Sequence, residues 1–247
     1  MWTREELKSN AKTVLRRYYW MAVVVCLIEG MISQFIIYLD NGIYIFKTMM
    51  DVLRSVQTGI YTPTAVENPI GFLWFLSIIF VIFVGNPLTV GLARYFMESR
   101  SQTSSIATLF YAFRNGRYLK VTKVMFIMYI KIMLWTLLFF IPGIIKSYEY
   151  YFIPYMLAEN PNLETKRYFE ISKAMTNDEK ANMFVLDLSF VGWVLLGTLL
   201  CGVGLIFVIP YMQATYAEMY SLMRAKALYF QFASPHELID FTPQQFS

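Results

Sequence analysis

The chain has 247 residues, of which 57% are hydrophobic and only 15% charged, with a formal net charge of +4 and a mean hydropathy of +0.47. Soluble domains run at roughly 45–50% apolar and about 25% charged residues, so this composition belongs to the membrane class. Its 18% aromatic content excludes disorder, two cysteines exclude a disulfide scaffold, and the single histidine, His236, excludes a conventional metal site.

Thr3 and Glu6 form a T-x-x-E capping box that opens a helix over residues 4–17. Leu7, Ala11, Val14, Leu15 and Tyr18 share one side of it, and Lys8, Lys12 and Arg16 share another. That pattern suits a helix lying on anionic lipid headgroups, or a basic flank that only sets topology. The first apolar run, Tyr19 to Leu39, carries Glu29 and Gln34 and exceeds a signal-peptide core, so it reads as an uncleaved span. A second begins at Ile70 and continues through Pro87 to Met97 as one kinked helix. In 99–120, Ser104 or Ser105 can cap a short interfacial helix bearing Ile106, Leu109, Phe110 and Phe113, closed by Gly116. The third span is Val121 to Ile141, with Lys131 inside it. The stretch Ile144 to Ala158 either crosses or is a re-entrant hairpin. Thr176 to Glu179 reads as another capping box. The last apolar block, Met183 to Met223, is long enough for two crossings divided near Gly202 and Gly204.

Cytoplasmic loops carry the excess of Lys and Arg. Residues 1–17 hold five, 98–123 five, 159–181 four and the tail from 224 two, against two (Lys47 and Arg54) in loop 40–69. Six crossings with both termini inside fit this alternation, and five would break it downstream. The expected fold class is all-α: a polytopic helical membrane bundle forming one domain over 1–247, with an amphipathic helix at 1–18, a transmembrane bundle at 19–223 and a cytoplasmic tail at 224–247.

MWTREELKSNAK at the start, FRNGRYLKV at 113–121, IPGIIKSYEY at 141–150, YMLAENP at 155–161, ISKAMT at 171–176 and FVLDLSFVGW at 184–193 together resemble the bacterial membrane family called Domain of Unknown Function 975. The resemblance implies a multi-spanning plasma-membrane protein of Gram-positive bacteria, with no accepted activity and no catalytic residues to carry over. A weaker likeness exists to the membrane domain fused to some glycerophosphodiester phosphodiesterases, whose soluble catalytic domain has no counterpart here. Independently, three stretches place a charge and aromatics after a proline: Pro87 to Arg94, Pro142 to Glu149 and Pro210 to Glu218, at offsets of seven, seven and eight residues. Proline-broken repeats are a feature of transporter folds, although prolines are also common in membrane helices generally.

Glu29, Arg94, Lys131, Glu149, Asp187 and Glu218 fall within or at the edge of apolar runs and form the candidate intramembrane polar site. A central unpaired charge costs about 2.5–3.5 kcal/mol on insertion scales, which bears most on Glu29, Lys131 and Asp187, since Arg94, Glu149 and Glu218 fall nearer the interfaces, where snorkelling removes most of the cost. The expected pairs are Lys131 with Glu29 or Asp187, and Arg94 with Glu149 or Glu218. Such pairs either fix helix packing or line a proton or ligand path. There is no P-loop, G-x-S-x-G or H-E-x-x-H motif, no cofactor is expected, and nothing points to nucleic acid. The expected function is non-enzymatic: a scaffold or partner acting through membrane lipid, other membrane proteins or self-association. Small residues at Thr89/Ala93 and Ala217/Ser221/Ala225 offer close-packing faces for it. The alternative is a transporter or lipid-handling protein.

Overall fold

The computed structural model describes residues 2–33, 49–50, 70–101, 104–114, 116–200 and 202–239. The end of the first expected span with Gln34, loop 40–69 with Lys47 and Arg54, Cys201 and the tail from 240 lie outside the described residues. Everything regular within the described residues is helical. Helix α1 (Arg4–Leu15) is capped by the Thr3 hydroxyl, which accepts from the Glu6 N–H as the capping box requires. It passes through a turn at 16–18 into α2 (Tyr19–Ser33). Helix α3 (Ile70–Phe80) runs through a single π turn, Val81–Gly85, into α4 (Asn86–Glu98). Pro87 brings no N–H to the Phe83 carbonyl, and the Tyr118 hydroxyl donates to that oxygen at 2.9 Å. A 3-10 segment, Ile106–Phe113, follows, capped by Ser105 as the sequence suggests. Then come α5 (Tyr118–Leu138), α6 (Phe140–Glu149), α7 (Ile153–Glu159), α8 (Thr165–Thr176), α9 (Lys180–Leu199) and α10 (Val203–Tyr229). The α9–α10 turn is made at Gly202, whose φ of +79° is the left-handed conformation that glycine adopts without strain.

Two zones divide the bundle. At one end, α4 is buried on nearly every side by the 3-10 segment, α7, α10 and α2, and Leu88, Val90, Tyr95, Phe96, Phe152, Met156, Tyr168 and Tyr220 form the core there. At the other end, large apolar side chains face outward: Trp20 to Met31 on α2, Phe126 to Leu138 on α5, Phe184 to Leu200 on α9 and its end, and Val203 to Ile209 on α10. Exposed apolar side chains are concentrated in this belt, with Leu119, Tyr229, Phe230 and Ile239 exposed outside it, and apolar surface of that extent marks a contact surface for membrane or protein. Helix α10 passes from one zone to the other along its length: Phe207 is 46% exposed, while Ala217 and Tyr220 are 1% exposed.

Three of the described helices are long and apolar enough to cross a membrane: Phe75–Glu98, Tyr118–Leu138 and Lys180–Leu199. Tyr19–Ser33 is apolar but shorter. The stretch 144–158, read from the sequence as a crossing or a re-entrant hairpin, is not one continuous helix. It falls within α6 and α7, of 10 and 7 residues, where a hydrocarbon core of about 30 Å needs roughly 20. Helix α6 folds back along α5 after one extended residue, Phe139, and the chain turns again at 150–152. The apparent capping box at 176–179 does not form either. Thr176 turns its hydroxyl inward onto the Ser172 carbonyl at 2.9 Å, and Glu179 occupies the cap of α9 without capping it.

The closest approach in the compact zone is at Gly91, where an added Cβ would overlap the Leu109 carbonyl of the 3-10 segment. Gly91→Ala is expected to lower the melting temperature in detergent, at a cost of about 1–3 kcal/mol from overpacking. Gly192→Ala, which would meet nothing within 4 Å, is the control expected to melt like the native protein. Equal melting of the two variants would show that the 3-10 segment yields.

Candidate functional site

Five carboxylates and their partners form a polar layer through the compact zone. Glu159 ends α7 with a side chain fully shielded from solvent. It accepts from Arg224 Nε at 2.7 Å and from the Tyr220 hydroxyl at 2.6 Å, both on α10. Arg224 spends its remaining reach on the Leu238 carbonyl of the tail, at 2.8 Å. Glu218, six residues before Arg224 on α10, is held at both oxygens by Arg100, at 2.8 and 3.1 Å. Glu149, at the end of α6, meets Lys146 at 2.8 Å and Lys180 at 3.6 Å. Glu179 gathers Lys226, Trp2 and Asn182. Glu237 meets Arg167 at 2.6 Å.

Arg94 therefore does not pair with Glu149 or Glu218. Its Nε reaches Glu98 one turn on at 2.6 Å, its Nη1 donates to the Ala158 carbonyl at 2.6 Å, and its guanidinium stacks on the Tyr111 ring. A cation on the last carbonyls of α7 suits the negative end of that helix. Asp187 is held by two tyrosines, Tyr148 at 2.7 Å and Tyr216 at 2.8 Å. Glu29 accepts from Ser33 on its own helix at 2.9 Å. Lys131 accordingly has neither expected carboxylate. Its ammonium sits 3.7 Å from the Phe169 ring centre and 5.9 Å from that of Tyr150, where the ring faces supply the negative charge. Arg100, Lys180, Glu159 and Arg224 carry the layer and escaped the sequence reading because they flank apolar runs rather than interrupt them.

Among the hollows of the described residues, two bear on this network. One, of about 250 Å³, opens among the proline-broken helices and is lined by Thr89, Tyr129, Ser147, Tyr151, Tyr155 and Gln213. The other is a cleft of about 610 Å³ between the end of α1 and the α9–α10 pair. A third hollow, of about 590 Å³, lies beside that cleft and is lined by Arg4, Glu5, Lys8 and Ser189. The apolar side of α1 does not meet lipid as expected. Leu7, Ala11 and Leu15 are buried, and the helix packs along α10. Lys8 donates to the Ser189 hydroxyl at 2.7 Å and lies over Phe190, and Lys12 lies over Tyr211. Lys8, Lys12 and Arg16 all line the cleft.

Residues 137–227 match the model of the family described as "Protein of unknown function (DUF975)", the family that the sequence resembles. The matched stretch runs from the end of α5 into the last turn of α10 and contains Glu149, Glu159, Asp187, Glu218 and Arg224, while Arg94 and the α1 cations lie before it. No curated protein and no solved structure matches the chain.

Removing one partner of a buried ion pair strands the other, at about 3–5 kcal/mol, whereas replacing both with apolar groups is often tolerated. Glu159→Gln is therefore expected to melt well below the native protein, and Glu159→Leu combined with Arg224→Met above it. A double variant no better than the single one would locate the loss elsewhere.

The Arg167 hydrogen bonds hold the Glu237 carboxyl down to about 2. Because this lies below the unfolded value of about 4.3, the pair's contribution is present above that value and is lost as pH falls through the folded one. Both groups are partly exposed, so salt weakens the effect. Hydrogen-exchange protection of residues 232–238, corrected for the intrinsic rate, is expected to fall between pH ~4 and ~2. In Glu237→Gln it is expected to be low and flat over that range. Protection independent of pH in the native chain would remove the role given to the pair.

Proposed function

We propose that the protein is a multi-pass integral protein of the bacterial plasma membrane that works without catalysis, as a scaffold or partner acting through lipid and helix contacts. The observation that carries this reading is the closure of the polar layer. Glu149, Glu159, Glu179, Glu218 and Glu237 each meet a cation of the same chain. Groups committed to one another hold helices together and are poor candidates for substrate chemistry. The outward-facing surface is the apolar belt, together with the basic end of α1.

Both termini on the cytoplasmic side also fits. Trp2 and Lys226 bond the same carboxylate, that of Glu179, so the start of the chain and the end of α10 share one end of the bundle. The α5–α6 hairpin leaves and re-enters that same end whatever depth its tip reaches, so parity holds with four crossings and a re-entrant hairpin as well as with six. Its tip, Leu137 to Ile141, is wholly apolar and 62–80% exposed, and the Phe139 and Gly143 amides are bonded within the hairpin. Such a tip suits hydrocarbon.

In a background with both cysteines replaced by serine, Glu170→Cys is expected to resist an impermeant thiol reagent in whole cells and to label after lysis; labelling in whole cells would overturn the orientation. Purified in mild detergent, the chain is expected to form a stoichiometric complex with itself or another membrane protein. The transport reading draws its support from the hollow of about 250 Å³ among the proline-broken helices. A purified monomer that drives solute flux in proteoliposomes, with flux lost in Gln213→Leu, would replace the scaffold reading by that one.

A further inference from the structure

The cleft at the end of α1 joins a cationic side to an apolar, aromatic wall. Its cationic side is Lys8, Lys12 and Arg16, and no carboxylate is among its described lining residues. Its other wall is apolar and aromatic, with Trp193 58% exposed and Phe207 46% exposed on α9 and α10, and Tyr211 at the floor. The level is also set by the chain itself. Outward residues up to Arg17 on α1 and the following turn are polar, and from Trp20 upward on α2 they are apolar, so Lys12 and Arg16 precede that change while facing an α9 whose outward residues are apolar from Phe184. Among the described residues neither Lys12 nor Arg16 has an acidic partner, and Lys12 has only the Tyr211 ring. Burial first, and then the charges of Arg4 and Lys12, push the Lys8 ammonium below its ordinary value.

We propose that this cleft is a binding site for a single anionic phospholipid, its phosphate between Lys12 and Arg16 and one acyl chain along Trp193 and Phe207. The charge selects an anion, and the apolar wall selects an amphiphile over a free phosphate. Lys8, turned toward Ser189 and Phe190, fixes α1 against α9 and so holds the two walls apart. The bound lipid then contributes to the packing of α1 on the bundle, in the manner of any ligand that binds only the folded state. This site rests on the membrane reading above, and it changes what α1 does: the helix uses its apolar face on protein and its basic edge on one lipid, rather than floating on a lipid surface.

The test uses the full chain in nanodiscs of phosphatidylcholine with small amounts of phosphatidylglycerol, at low salt. Phosphatidylglycerol with brominated acyl chains is expected to quench a fluorescence component that Trp193→Phe removes, and brominated phosphatidylcholine at the same mole fraction is not. Lys12→Gln with Arg16→Gln is expected to weaken phosphatidylglycerol binding roughly 30-fold, about 1 kcal/mol for each basic residue. Melting in detergent is expected to rise with added phosphatidylglycerol and to stay put with inorganic phosphate. Equal quenching by both lipids, or stabilisation by phosphate alone, overturns the lipid site and leaves the membrane reading intact. A chain that stays soluble and monodisperse without detergent or lipid overturns both. If the double variant fails to fold, the lipid selectivity of the native protein decides alone.

Discussion

Glu159 places a carboxylate inside the bundle with its side chain wholly shielded from solvent, and separate parts of the chain are arranged to make that tenable. An unpaired carboxylate there would instead be protonated or exposed. Arg224 and Tyr220 bring α10 to it, and the second arm of Arg224 brings the tail through Leu238. One residue earlier, the Ala158 carbonyl receives Arg94 from α4. The C-terminus of a helix of only 7 residues is thus the point where α4, α7, α10 and the tail are fastened. The belt helices project from this end.

Asp187 and Lys131 are met by neutral partners rather than by ion pairs. Asp187 is met by two phenols, and Lys131 by ring faces. The reason is desolvation. Each ion taken from water loses several kcal/mol of hydration on the order expected for buried sites, and a carboxylate partner adds a second such loss. A phenol or a ring adds none of comparable size, so one charge with polarised neutral neighbours is the less costly arrangement. Tyr148 and Tyr216 supply these neighbours to Asp187, and Phe169 with Tyr150 to Lys131.

What could be read from the sequence is what local rules determine. The Thr3 cap, the Ser105 cap and the glycine turn at 202 depend on residues within three or four positions, and they stand as the spacing implies. The burial of Leu7, Ala11 and Leu15 followed the helical period, but not the identity of what covers them, because a period shows a face and not its neighbour. Ion-pair partners were read wrongly for the same reason: Arg100 and Glu218 are 118 positions apart, Arg224 and Glu159 are 65 apart. The box at 176–179 had the right letters, yet the Thr176 hydroxyl bonds back to the Ser172 carbonyl one turn earlier in its own helix, a local alternative that takes the hydroxyl away from the cap.

The proline spacing takes on a physical meaning once the two zones are known. Helices α4, α6 and α10 all run from the apolar belt toward the compact end, and each carries its charge seven or eight residues after a proline. At about 1.5 Å per residue that separation is roughly 10–12 Å, two turns of helix. The charges then fall in the polar layer: Arg94 on Ala158, Glu149 between two lysines, Glu218 on Arg100. The prolines themselves are accommodated in different ways. Pro87 follows a π turn and has Tyr118 on the orphaned carbonyl, Pro142 lies in the first turn of α6, and Pro210 stands inside α10. An internal duplication would be expected to repeat the local solution as well as the spacing. A shared spacing with unlike local solutions is what a common depth requirement produces: the same distance between the foot of the belt and the layer where charges can find partners.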